Sequence, residues 1–276
     1  MTLTTTFIGG GNMASALIGG RIAAGARAQD IRVVEPLAAQ RESLSARFAG
    51  LGLFEALSAE AVGGADLVVL AVKPQQIRNV ARALAPHVEG VGAVLSIAAG
   101  IRTGDLSRWL GGYARIVRAM PNTPALVGAG ISGIYAAPSA GGDAREAAAT
   151  ILRAAGDIVW CEREEALDGI TGVSGSGPAY VFYVLEGLAQ GARALGFSDG
   201  DGRRLAYATV AGAMALAQKS EADPATLRAQ VTSKGGTTER AIATLDAHGV
   251  KDALIAAVRD AAARAGELGD EFGREP

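Results

Sequence analysis

Up to Trp160 the chain alternates short apolar or β-branched runs with alanine-rich amphipathic stretches, and beyond Cys161 the strand-like runs stop. The strand-like runs are "TTFIG", "IRVVE", "DLVVLAV", "AVLSIAA", "YARIVRA", "ISGIYAA" and "DIVW". Between them the spacing predicts helices over 12–24, 38–48, 75–84, 103–110 and 143–155. A run such as Leu67 to Val72 is apolar on both sides of a strand, so it must be covered on both faces. The first part is therefore expected to be α/β, a doubly wound, Rossmann-type parallel sheet between helical layers. From Glu162 only helices are expected, over 163–171, 177–195, 200–219, 224–230, 236–246 and 249–267. Two domains follow, 1–161 and an all-helical 162–276.

Composition narrows the partners. With 276 residues, 26 basic and 28 acidic side chains and a net charge of -2, neither sign gathers into a surface for nucleic acid or anionic lipid. Cys161 is the only cysteine, which rules out a disulfide within the chain and suits a reducing cytoplasm. Two histidines, His87 and His248, do not suggest a metal cage, so no metal site is expected. The start of the chain lacks a basic segment followed by an apolar one, so no signal peptide is expected. The uncharged stretch 119–142 is broken by Pro121, Pro124, Pro138 and five glycines, which spoils it as a membrane span. "AYVFYVL", Ala179 to Leu185, is apolar on every side of a helix and reads equally as a bundle's central helix or a face covered by a partner subunit.

The chemistry begins at "FIGGGNMA", residues 7 to 14. Gly9-x-Gly11-x-x-Ala14 lies between a strand and an amphipathic helix, the context a dinucleotide turn requires. Gly9 allows the tight turn, Gly11 lets a pyrophosphate approach the backbone, and the helix start offers N–H groups to the anion. Glu35 closes the second strand, where a carboxylate accepts from a ribose 2′-hydroxyl and favours NADH. Arg41, a turn into the next helix, would instead meet a 2′-phosphate, so NADPH and NADH stay open. "AVKPQ", from Ala71 on, follows a buried run and belongs at the carboxyl edge of the sheet, which makes Lys73 a candidate cofactor contact.

Taken with "SIAAGI", "RAMPNTP", "EALDGITGVSGSGPAYVF" and "VTSKGGTTERAI", these segments resemble the pyrroline-5-carboxylate reductases, in that family's order and across nearly the whole chain. The resemblance implies a Rossmann-type domain, an all-α domain that interlocks with its twin in a homodimer, larger rings of dimers, and NAD(P)H-dependent reduction of a cyclic imine to proline. Matching positions imply cofactor contacts at Gly9, Gly11, Asn12, Met13, Ala71, Val72, Lys73, Pro74, Ala98, Ala99 and Asn122. On the substrate side they imply Glu164, Gly236, Thr237 and Thr238. The chain departs from the family at Lys234, where proline is common, and at Gln230, where asparagine is common.

The implied substrate carries one carboxylate and one C=N bond. Gly235 and Gly236 can turn backbone N–H groups toward the carboxylate, with Thr237 or Thr238 capping the helix that follows. Thr238 then orients the imine nitrogen, and the proton arrives with the iminium form or from water. "SGSGPAY" reads as small residues that let a helix pack tightly under the cofactor, with Pro178 in its first turn. Two other readings share this plan: a 3-hydroxyacid dehydrogenase-like reductase, for which Lys234 is the best-placed of Lys219, Lys234 and Lys251, and a non-catalytic nicotinamide-nucleotide-binding protein.

Overall fold

The computed structural model describes residues 3–274. They divide into two compact units, one running to Ser176 and resuming at Arg259, the other Gly177–Val258. The expected boundary at 161/162 therefore differs from this division. The helix after the last strand stays with the sheet, and the chain's last turns return to it.

In the first unit, strands β1 (Thr5–Ile8), β2 (Ile31–Val34), β3 (Gly52–Phe54), β4 (Leu67–Leu70), β5 (Val94–Ser96), β6 (Ile116–Met120), β7 (Gly130–Ala136) and β8 (Gly156–Trp160) form one sheet in the order β3-β2-β1-β4-β5-β6-β7-β8. Helices α1 (Asn12–Ala23), α2 (Ala38–Arg47), α3 (Ala59–Val62), α4 (Pro74–Leu84), α5 (Thr103–Trp109) and α6 (Gly141–Arg153) fill the connections. Successive side chains of one strand enter opposite layers, as the pleat dictates. Phe7, Leu67 and Val69 join the core that holds Leu17, Ile18 and Ile151, while Ile8, Val68 and Leu70 join the one that holds Ile77, Leu84 and Leu106.

The sheet is not wholly parallel, contrary to expectation, because β7 runs antiparallel to β6. Only a tight 3-10 turn over Thr123–Val127 joins them, too short for the crossover that a parallel pair needs. The pair β7–β8, joined through α6, is parallel again.

After β8 come α7 (Ala166–Ile170), a π-helical turn over Thr171–Gly175, and the helices of the second unit: α8 (Gly177–Ala194), α9 (Asp199–Gln218), α10 (Pro224–Gln230), α11 (Thr237–Ala247) and the start of α12 (Val250–Gly273), whose longer remainder from Arg259 belongs to the first unit. A Cβ on Gly175 would lie 2.7 Å from the Met120 Cε, in accord with a small-residue role for that segment. In the second unit the buried residues are Ala192, Gly202 and Ala206, all small. Tyr183 is 78% exposed, Phe182 60% and Leu216 67%. Helices whose large apolar side chains face outward do not form a stable unit alone and need a covering surface. No helix among the described residues is long and apolar enough to cross a membrane.

Candidate active site

Strand β1 lies between β2 and β4, where the strand order changes direction. The crevice beyond the carboxyl ends of such strands is where ligands bind in open α/β sheets. Gly9 leaves β1 with φ +98°, and its N–H donates to the Val34 carbonyl at 2.9 Å. A Cβ there would fall 2.7 Å from the Ala71 carbonyl oxygen and 2.9 Å from the Val72 Cγ1, so only glycine passes between β2 and β4. Gly11 differs. Its φ is -68°, ordinary for any residue, and a Cβ on it would meet nothing within 4 Å.

No side chain caps α1, whose first intrahelical bond from the Gly11 carbonyl is to the Ser15 N–H at 2.9 Å. The N–H groups of Asn12, Met13 and Ala14 are thus left for an acceptor outside the helix. Open space at Gly11 beside an uncapped helix start fits a pyrophosphate. Asn12 is exposed there, and Met13 packs partly against the core.

Glu35 does more than end β2. It is 8% exposed; its Oε2 accepts from the Gly10 N–H and its Oε1 from the Leu37 N–H, each at 2.9 Å. Gln40 donates from Nε2 to the Gly10 carbonyl at 2.6 Å, so both main-chain polar groups of Gly10 are held by side chains. Arg41 lies along the main chain, donating to the Glu35 and Pro36 carbonyls at 2.7 and 2.8 Å, and its other nitrogen is 3.5 Å from Glu55.

The remaining candidates of this unit follow parallel strands and so share the same edge. Ala71 bonds back to the Ile8 carbonyl at 2.8 Å, Lys73 is exposed in the extended position before α4, and Pro74 begins that helix. Ala98, 4% exposed, and the half-buried Ala99 follow β5. Asn122 follows β6, but its side chain is engaged internally: Oδ1 accepts from the Ile131 N–H at 2.9 Å, and Nδ2 donates to the Ser174 carbonyl at 3.2 Å. It braces β7 and the π-helical turn.

Glu164 is likewise committed within the first unit. Its carboxylate accepts from the Thr103 N–H and hydroxyl, both at 2.7 Å, and lies 3.2 Å from the Arg118 Nη1. It caps α5 from a distance, holding the segment just after "SIAAGI". Arg118, whose side chain is 5% exposed, also reaches Asp168 at 3.7 Å. Burial pushes the Asp168 carboxyl above its usual range, against the opposing pull of Arg118 and Arg102. Sequence reasoning missed Arg118 because it sits inside an apolar run with its acidic partners far along the chain.

In the second unit α11 is capped by the backbone of Gly236, and by neither threonine as expected. Gly235 takes φ +74°, the Gly236 N–H bonds back to the Ser233 carbonyl at 3.0 Å, and Glu239 accepts from the Gly235 N–H at 2.6 Å. The first main-chain bond of α11 from Gly236 is to the Arg240 N–H, which leaves the N–H groups of Thr237, Thr238 and Glu239 for an outside acceptor. Thr238 is half-buried and Thr237 exposed.

The family described as "Pyrroline-5-carboxylate reductase dimerisation" matches residues 164–268, and that described as "NADP oxidoreductase coenzyme F420-dependent" matches residues 4–100. Among curated proteins, a pyrroline-5-carboxylate reductase of Pseudomonas aeruginosa is 43% identical over 97% of both chains, and one of Synechocystis is 38% identical over 98% of this chain and 99% of its own. Among solved structures, a pyrroline-5-carboxylate reductase from Coxiella burnetii superposes with a TM-score of 0.90 at 38% identity, over 97% of this chain and 99% of that one. A pyrroline carboxylate reductase from Plasmodium falciparum with NADP bound gives 0.85 at 26% identity, over 97% of this chain and 98% of that one. On these likenesses, which run nearly end to end, the chain belongs to the pyrroline-5-carboxylate reductase family.

Proposed function

We propose that this protein reduces the C=N bond of 1-pyrroline-5-carboxylate to give L-proline, with NADPH or NADH as reductant. The observation that carries the nucleotide half is the uncapped start of α1 beside open space at Gly11, at the sheet's switch point. When bound, the nicotinamide supplies a hydride to the imine carbon. Gly11, Asn12 and Met13 hold the pyrophosphate through main-chain N–H groups, and Ala71 to Pro74 form the neighbouring wall. Ala98 and Ala99 shape the nicotinamide side without polar groups that would divert the hydride.

The N–H groups at the start of α11 take the substrate carboxylate, where unpaired donors and the helix dipole both favour an anion. Gly236 and Thr237 place those donors, and the Thr238 hydroxyl orients the ring nitrogen. Threonine is a poor acid, so the proton that balances the hydride comes with the iminium form or from water. An iminium carbon is already electrophilic, which is why the site manages without a histidine or a carboxylate pair. In this reading Glu164 and Asn122 position the surrounding loops through the bonds they make to Thr103, Ile131 and Ser174.

The outward-facing apolar residues of the second unit support a homodimer; a larger ring of such dimers and a cytoplasmic setting complete the proposal. The test is purified protein mixed with pyrroline-5-carboxylate and each reduced nicotinamide, followed by the loss of nicotinamide absorbance. Turnover with the imine is expected. Turnover with 3-oxo acids instead, or binding without turnover, would overturn the reading.

A further inference from the structure

We propose that Glu35 makes the nucleotide site prefer NADH, by fixing a carboxylate at the end of β2 where the 2′-phosphate of NADPH would lie. The inference rests on the nucleotide-binding half of the proposed function and not on its substrate. An acidic residue at this point in the fold faces the adenosine ribose, whose 2′-hydroxyl can donate to it. A 2′-phosphate offers only acceptor oxygens and negative charge toward the same group.

Two features of this chain decide between the possibilities. First, the carboxylate cannot swing aside. It is 8% exposed and held at 2.9 Å by the Gly10 N–H on one oxygen and by the Leu37 N–H on the other. Turning it away would strip the acceptor from the part-buried Leu37 N–H and from the buried Gly10 N–H, which lies in the pyrophosphate turn itself. Each oxygen keeps a second lone pair, which is what a ribose hydroxyl needs.

Second, the cation that could answer a phosphate is already engaged. Arg41 donates to the Glu35 and Pro36 carbonyls at 2.7 and 2.8 Å and has Glu55 at 3.5 Å. Its Nη2 faces Glu55, so a phosphate there would have to compete with that carboxylate while Glu35 stayed in place. The same carboxylate thus shapes the turn and discriminates between the nucleotides.

The test reads binding, with no turnover. Dissociation constants for NADH and NADPH are measured on the wild-type protein by nicotinamide fluorescence at fixed ionic strength, and competition by ADP-ribose and 2′-phospho-ADP-ribose repeats the comparison without the nicotinamide. The 2′-phosphate is expected to weaken binding by about tenfold or more, the effect of a like charge at a site largely screened from water. In Glu35→Gln, checked for folding by circular dichroism, the ratio is expected to shrink toward one.

Wild-type protein that binds the phosphorylated ligands as tightly as the plain ones, or more tightly, would overturn the proposal, as would an unchanged ratio in a folded Glu35→Gln. Should that variant not fold, the wild-type competition decides alone. Failure of the imine reaction would leave the ratio intact, whereas absence of binding by either nucleotide would overturn this proposal together with the nucleotide-binding reading.

Discussion

Two glycines two residues apart make opposite predictions, and the structure supplies the magnitudes. Gly9→Ala puts a β-carbon 2.7 Å from the Ala71 carbonyl oxygen at a residue with φ +98°. A left-handed conformation costs an L-residue about 1–2 kcal/mol. Ala71 cannot retreat, since its N–H is bonded to the Ile8 carbonyl at 2.8 Å. Overpacking of this kind adds about 1–3 kcal/mol. The folded state should therefore lose about 2–5 kcal/mol in all, and the nucleotide site should deform with it.

Gly11→Ala has an ordinary φ of -68° and open space around the added methyl. Its effect on the unfolded chain, about 0.4–1 kcal/mol in favour of folding, is offset by alanine's poorer capping, leaving stability within about 1 kcal/mol of wild type. In the proposed nucleotide site, however, the methyl would stand where the pyrophosphate approaches. Losing one charge-assisted hydrogen bond, about 1.5–3 kcal/mol, weakens nucleotide binding by about 10- to 100-fold. Denaturant melts and fluorescence titration of both variants separate the two effects. A Gly11→Ala protein that binds nucleotide normally, or that is destabilised as much as Gly9→Ala, would refute the reasoning.

Thr238→Ala should slow imine reduction while leaving nicotinamide-nucleotide affinity near normal in a binding titration; equal loss of both would move Thr238 off the substrate side. Glu164→Ala leaves the buried Arg118 short of a partner and uncaps α5, so chemical denaturation should show a loss of about 3–5 kcal/mol. Asp168 has its carboxyl raised by burial, so the native state holds that proton more tightly than the unfolded chain and the group's contribution to stability falls as pH rises through the raised value. Asp168→Asn should accordingly gain on wild type as pH climbs from about 3.8, the ordinary aspartate value, and a gap that does not vary with pH would contradict this. The apolar surface around Tyr183, itself 78% exposed, calls for dimers by light scattering, and Tyr183→Glu should weaken them.

What could be read in the sequence was local. Leu67 to Val72 announces a strand buried on both faces, and helices α4, α8, α9 and α10 lie within a residue of where the spacing puts them. The three-residue edge strand Gly52–Phe54 and the short helix Ala59–Val62 carry too little periodicity to stand out. The reversal of β7 depends on how short its connection is, a fact about chain reach and not about pattern. At the site, Gly9 and Gly11 were legible because a turn is a matter of neighbouring residues.

The use made of Glu35 was not, since its bond to the Gly10 N–H links positions twenty-five residues apart. The resemblance places Glu164 and Asn122 on ligand surfaces but says nothing of their bonds to Thr103, Arg118, Ile131 and Ser174. A motif fixes which residue is present; the bonds its atoms already hold decide what else it can do.

The central claim is that this chain passes a hydride from a nicotinamide to the carbon of a cyclic imine. Reduced nicotinamide nucleotide deuterated on one or the other face of C4, incubated with the protein and unlabelled pyrroline-5-carboxylate, tests it directly by mass spectrometry of the product. The account predicts proline carrying a single deuterium on the former imine carbon from one of the two labelled forms. Nucleotide that binds while no labelled proline forms from either would contradict it.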